Sequence, residues 1–203
     1  MDALRTEKSS LTRERDALRR FLAALSELAA RLDRPHHESE IESLLEHTLD
    51  TTLSAIHAEG GSLLVQDKQT NELVFAMVRG DAGTAALVGT RIPPGKGIAA
   101  WVAHHRRATV VNSTHDDERF YREVDDRIAH HTRSVLVAPL IGGGELLGVV
   151  ELVNRHGGQL FTTGNLDLLA LLCRFAGELL QHLVSDVDLA ETITQHTAAR
   201  AGD

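Results

Sequence analysis

Twelve histidines are the side chains best equipped for ligation or proton transfer. They fall as the pairs His36-His37, His104-His105 and His130-His131, with His115 beside Asp116 and Asp117. Neighbouring side chains on a regular element point apart, so such a pair seldom supplies two ligands to one ion. A metal or haem site at His115, His130 or His131 therefore competes with solvated loop histidines that titrate near neutrality, and no metal site is assigned. Asp116-Asp117-Glu118 reads as an acidic helix start favoured by the dipole rather than as an acid/base pair. The single cysteine, Cys173, lies among Leu171, Leu172 and Phe175 and reads as a buried, inert thiol. Gly95-Lys96-Gly97 has two readings: a tight turn, or a helix start whose free N–H groups receive an anion or carbonyl. The chain contains no Gly-x-Ser-x-Gly elbow, phosphate loop or zinc-protease helix, so catalytic residues are predicted to be absent.

Composition narrows the partners. The 203 residues carry 21 Lys and Arg against 29 Asp and Glu, a net charge of −8, which is the wrong sign for binding a phosphate backbone. Aromatics reach only 3%, too few to build a base-stacking surface. Nucleic acid is excluded as a direct partner on both grounds. One cysteine forms no disulfide within the chain, and no apolar run is long enough for a signal peptide or a membrane span. The reading is a soluble, cytoplasmic protein without membrane contact.

Periodicity then supplies the elements. Leu4, Leu11, Leu18, Leu25 and Leu32 recur every seven residues, with Phe21 and Leu28 between them, and predict a coiled-coil helix over 1–34. Pro35 ends it. Ile41, Leu44, Leu45, Thr48, Leu49, Thr52, Leu53 and Ile56 mark a second helix. Ala58-Glu59-Gly60-Gly61 breaks that pattern, and strands follow at 62–67 and 72–79 as an antiparallel hairpin. A third strand is expected at 87–92, a short helix at 98–102 and a brief strand at 109–112. Residues 113–133 read as a loop with one short helix around 116–127, the kind of long irregular segment that often carries function. Strands at 134–141 and 145–154 form a second hairpin across Gly142-Gly143-Gly144. A last helix starts near Thr162-Thr163 and carries Leu169, Leu172, Leu179, Leu180 and Leu183. The sum is α+β: a central antiparallel sheet with helices packed on one side and long N- and C-terminal helices.

At this point residues 39–184 resemble a GAF domain, the small-molecule sensory module of phosphodiesterases, phytochromes, histidine kinases and bacterial enhancer-binding regulators. The blocks that carry the resemblance are Glu59-Gly60-Gly61-Ser62-Leu63-Leu64-Val65 with Asp67, and Gly95-Lys96-Gly97-Ile98-Ala99-Ala100-Trp101-Val102-Ala103. They are followed by Ser134-Val135-Leu136-Val137-Ala138-Pro139-Leu140, Gly148-Val149-Val150-Glu151-Leu152-Val153-Asn154, and Phe161-Thr162. The resemblance implies a ligand between the sheet and residues 113–133, with Gly97, Ile98 and Ala99 along one wall. Ser62, Phe75, Asn112, Asp116, Phe120, Ser134 and Leu136 are expected to face it. The cyclic-nucleotide signature of such domains falls on Asn154, Arg155, Phe161, Asn165 and Leu166, where both of its acids are missing. Cyclic nucleotide is accordingly disfavoured, as is covalent bilin, since no cysteine lies in the pocket segments. Noncovalent haem stays open.

The resulting expectation is three units: a coiled-coil helix at 1–34, the GAF-like domain at 36–184, and a helical extension and tail at 185–203. Such a chain is a non-catalytic sensor that takes a small cytoplasmic ligand. It signals through a dimeric bundle, with Leu11, Leu18, Phe21, Leu25, Leu28, Leu179 and Leu183 at the homodimer contact. No kinase, cyclase, helix-turn-helix or phosphodiesterase segment is recognisable, so a separate signalling protein or a missing output domain is the expected reader. The alternative is a ligand-free dimeric scaffold on the same fold.

Overall fold

A computed structural model describes residues 37–183 except Ala82 and Ala129, together with isolated helical positions at 8, 11, 12, 15, 16, 19 and 23. The expected coiled coil beyond those positions and the tail at 185–203 lie outside the described residues, as do Leu18, Phe21, Leu25 and Leu28.

Helix α1 spans His37–Ile56. Its three-and-four spacing buries Ile41, Leu44, Leu45, Leu49 and Ile56, and the buried hydroxyls of Thr48 and Thr52 donate back to Leu44 O (2.7 Å) and Leu49 O (2.8 Å). The chain leaves the helix through His57 at φ 62° and enters β1 (Ala58–Gln66). This strand starts earlier than the 62–67 expected from sequence. Gly60 and Gly61 belong to it because a side chain has no room there: a Cβ on Gly61 would lie 2.7 Å from Glu151 O.

β2 (Leu73–Arg79) pairs with β1, and β3 is only Arg91–Ile92. The longer third strand at 87–92 does not form. A 3₁₀ turn occupies Thr84–Leu87, and Gly89 turns at φ +82° while its N–H donates to Phe75 O, and Phe75 N donates to Thr90 O. Helix α2 (Gly97–His105) and strand β4 (Thr109–Val111) follow. Residues 113–133 hold a 3₁₀ turn at Thr114–Asp116 and helix α3 (Arg122–Ile128) rather than one helix. The second hairpin is β5 (Val135–Gly142) and β6 (Glu145–Arg155), and α4 runs over Thr163–Leu183. Thr162 and Asn165 start α4 as a reciprocal cap, each backbone N–H donating to the other's side-chain oxygen.

All neighbours in the six-stranded sheet β3-β2-β1-β6-β5-β4 are antiparallel. Side-chain alternation divides the interior into two layers. Leu63, Val65, Leu136, Ala138, Val150 and Leu152 face α1 and α4. Leu64, Phe75, Val135, Val137 and Val149 face α2, α3 and the irregular segments between them. The long helices therefore share one side, as the sequence leads one to expect. Leu183 is 4% exposed and belongs to that core, and Leu179 is half-buried against it. The first is thus committed to intrachain packing rather than free for the dimer contact expected of it. Leu11, by contrast, is helical and 60% exposed.

α4 meets the sheet backbone to backbone. A Cβ on Gly177 would lie 2.2 Å from Ile141 O, and one on Gly142 would lie 2.1 Å from Gly177 O. Gly177→Ala should therefore cost at least 1–3 kcal/mol. Gly164→Ala, whose Cβ meets only Thr162 Oγ1 at 3.7 Å, should be neutral or stabilising by up to about 1 kcal/mol. Urea unfolding of the two variants beside the parent checks both signs.

Candidate functional site

The layer under α2 and α3 is the less completely filled one. A cavity of about 50 Å³ has a floor of Leu64, Phe75, Val135 and Glu151 from four strands. Gly97, Ile98 and Ala99 form one wall, and Phe120, Tyr121, Val124 and Asp125 close it from above. A second cavity of about 60 Å³ adjoins it through Phe75, Val124, Asp125, Thr132 and Glu151 and reaches Ser62, Ile128 and His130. Each holds only a few water-sized volumes. A third, shallower cleft of about 340 Å³ lies outward between Asn112–His115 and the 122–133 segment.

Local polar contacts hold the closing segment in place. The Asp125 carboxylate accepts from Thr132 N (2.8 Å) and Thr132 Oγ1 (2.7 Å), while the Thr114 hydroxyl donates to Thr132 O. Arg119 donates to Asp117 at 2.6 and 2.9 Å and lies 4.7 Å over the Trp101 ring, tying the segment to α2. The Arg119 bond also holds the Asp117 carboxyl below the usual carboxylate range. Asn154, at φ 52°, accepts from Arg133 N and Ser134 N through Oδ1 and donates to His131 O, fixing where the segment joins β5.

Of the sequence-derived candidates, Phe75, Gly97, Ile98, Ala99 and Phe120 line the first cavity, and Ser62 and Phe75 the second. Asn112 lines the outer cleft, and its amide is engaged with Phe161, donating to Phe161 O and accepting from Phe161 N, both at 2.9 Å. Asp116 is exposed, accepts from the Ser113 hydroxyl at 2.6 Å, and lines none of these spaces. Ser134 is buried and lines none of them either. Leu136 is fully buried in the opposite layer beneath the long helices. The reason is parity: Val135 and Val137 take the cavity face, so position 136 cannot. His115 and His131 border only the outer cleft, whereas His130 reaches the second cavity. Among the described residues no group of three His, Cys, Asp or Glu is placed to hold a metal ion.

Sequence reasoning missed Glu151 and Asp125. Glu151 sits at the centre of the sheet, opposite Ser62 of β1 and Val137 of β5, and lines both cavities. Burial, and next the nearby Asp125 carboxylate, push its pKa up from 4.5 to about 7. Its signal in the sequence was a lone acid at a cavity-facing position of an otherwise apolar strand, Gly148-Val149-Val150-Glu151-Leu152-Val153. The one cysteine, Cys173, is buried in the other layer, where desolvation raises its thiol pKa and removes it from cavity chemistry.

A buried acid with a raised pKa makes folding pH-dependent. Below about pH 4.5 Glu151 is neutral folded or unfolded; between 4.5 and 7 the folded state keeps a proton that the unfolded state has lost, so stability falls as pH rises. Glu151→Gln removes that loss. The variant should match the parent near pH 4.5 and exceed it by an amount on the order of 3 kcal/mol at pH 8. Urea unfolding at the two pH values checks the divergence. Asp67 acts in a lower window: hydrogen bonding to Arg91 holds its pKa at about 2, so its stabilisation is lost only as acid approaches that value.

Known proteins agree with this architecture. Along 155 residues, 72% of this chain, the sequence is 24% identical to a probable 3′,5′-cyclic phosphodiesterase of Caenorhabditis elegans, and the match spans only 21% of that enzyme's length. The GAF domain of a phosphoenolpyruvate-protein phosphotransferase from Coxiella burnetii superposes with a TM-score of 0.59 at 19% identity, covering 89% of this chain and 96% of that one. Free methionine-R-sulfoxide reductase from Neisseria meningitidis, solved in complex with its substrate, superposes with a TM-score of 0.60 at 18% identity, covering 82% and 92% of the two chains. The family model for the GAF domain matches residues 38–181, and the chain belongs to the GAF domain family.

Proposed function

We propose that this protein is a non-catalytic sensory module whose two adjoining cavities receive a small molecule and whose terminal helices relay the result. The observation that carries the reading is the mismatch between the two layers. One face of the sheet is sealed by α1 and α4, while the other is closed by short elements held through a few polar contacts around Thr132 and Arg119. A ligand under α3 would change the packing of that segment most readily. The Neisseria reductase supports small-molecule binding on this fold by analogy. Thiol chemistry in the cavities has no support in this chain, because its single cysteine lies in the other layer.

The relay is a homodimer. The heptad leucines of 1–34 supply one seam, and Leu171 and Phe175 of α4, 40% and 43% exposed, add apolar surface on the domain itself. A separate signalling protein or output domain reads the bundle. The location is cytoplasmic, in keeping with described helices of which none is long and apolar enough to cross a membrane.

Two measurements test this. Small-molecule fragments should shift the backbone amides of Ile98, Val124 and Thr132 in the intact protein, and Val124→Trp, which fills the cavity roof, should abolish those shifts while the spectrum stays dispersed. A chain that binds nothing there is a scaffold. Leu18→Asp with Leu25→Asp should convert a dimer to a monomer by light scattering, and a double variant that stays dimeric refutes the helical seam.

A further inference from the structure

Three polar groups meet in the cavities with nothing to bond to. Glu151 and Ser62 face one another across β6 and β1, and both line the second cavity. Ser62 is 4% exposed, yet among the described residues no hydrogen bond ends on its hydroxyl or on the Glu151 carboxyl. His130 lines the same cavity and buries Nε2 without any partner. A buried polar atom is almost always paired, so the lone His130 Nε2, with the unbonded Ser62 hydroxyl and half-buried Glu151 carboxyl around the same space, describes what is missing from it. An ionised carboxylate only accepts, so the missing group must donate.

The surrounding charges give its sign. Among the described residues Asp125 is the charged group that acts on Glu151, and its oxygens are already taken by Thr132. The cations near the cavities are occupied or peripheral: Arg79 is paired with Glu46 and Asp50, and Lys96 is exposed at the rim. Glu59 is paired with Arg133, and Asp81 adds a further acid at the mouth of the second cavity. A largely desolvated acid facing a second acid is stabilised in its ionised form by hydrogen-bond donors, and most strongly by donors that carry positive charge. Among the described residues no three His, Cys, Asp or Glu are grouped to hold a metal ion, which favours an organic cation.

Resting on the sensory reading above, we propose that the ligand is a small organic cation whose ammonium, amidinium or guanidinium group donates to Glu151, with Ser62 and His130 completing the site. The volumes of about 50 and 60 Å³ suit a charged head of a few heavy atoms. Such a ligand displaces the proton that Glu151 otherwise keeps up to about pH 7, so binding strengthens as pH rises through neutrality.

The test uses the intact ¹⁵N-labelled protein at pH 8 and constant ionic strength, with guanidinium, methylammonium and acetamidinium chlorides as probes. Urea, acetamide and acetate are the neutral and anionic counterparts. At least one cation should shift the amides of Ile98, Val124 and Thr132 with an affinity tenfold or more above its neutral counterpart. Glu151→Gln, which relieves a buried charge and should fold, should lower that affinity at least tenfold, and so should moving the parent to pH 5.5. Neutral or anionic probes that shift these amides while the cations do not would overturn the charge assignment and leave the ligand pocket standing. Undiminished cation binding in Glu151→Gln would remove Glu151 as the anchor. Silence from every probe would overturn both this proposal and the pocket reading beneath it.

Discussion

An antiparallel sheet that is apolar on both faces must be covered on both, and how each face is covered sets everything else in this molecule. The burial alternates strictly along the central strands: Leu63, Val65, Val150 and Leu152 on one side, Leu64, Val149 and Val135 on the other. Long helices satisfy the first side at low cost because their stripes are continuous and one of them touches the strand backbone through Gly177 and Gly142. The second side is closed by α2, α3 and connecting chain, and short pieces do not tile a surface without gaps.

Those gaps are where a polar side chain can exist on a central strand. Glu151 occupies a position that the pattern of its strand reserves for valine, beside Val149 and Val153. On the opposite face the same acid would be crushed among leucines. Under α3 it meets open volume instead, and a carboxylate kept partly dry is stored electrostatic cost that a suitable ligand relieves. The same segment that makes the cavity also supplies its second acid, Asp125, and its histidine, His130.

Departures from the family's cyclic-nucleotide signature are explained by local structure. Asn154 and Phe161 are structural positions: one fixes the entry to β5 through three hydrogen bonds, the other is buried and held by Asn112. Asn165 replaces an acid with a helix cap, bonding Thr162 in both directions. Arg155 donates to Ile56 O and Leu160 O, bracing the chain after β6. These residues tie elements together on the far side of β6 and line neither cavity.

Period and punctuation were enough to read the helices and most strands from sequence, because the spacing of Ile41 to Ile56 and the Gly142-Gly143-Gly144 turn are local facts. Local patterns misread Gly60 and Gly61 as a break, since only the neighbouring strand shows that a Cβ is excluded there. They extended β3 across Gly89, whose turn depends on Phe75. Phe75, Gly97, Ile98, Ala99 and Phe120, which the resemblance leads one to expect around a ligand, line one cavity, whereas Leu136 lies on the other face by one step of strand parity. Glu151 was in plain view as a lone acid among valines. What it does depends on its proximity to Asp125 and the loss of water, and these are properties of space that only the tertiary structure sets.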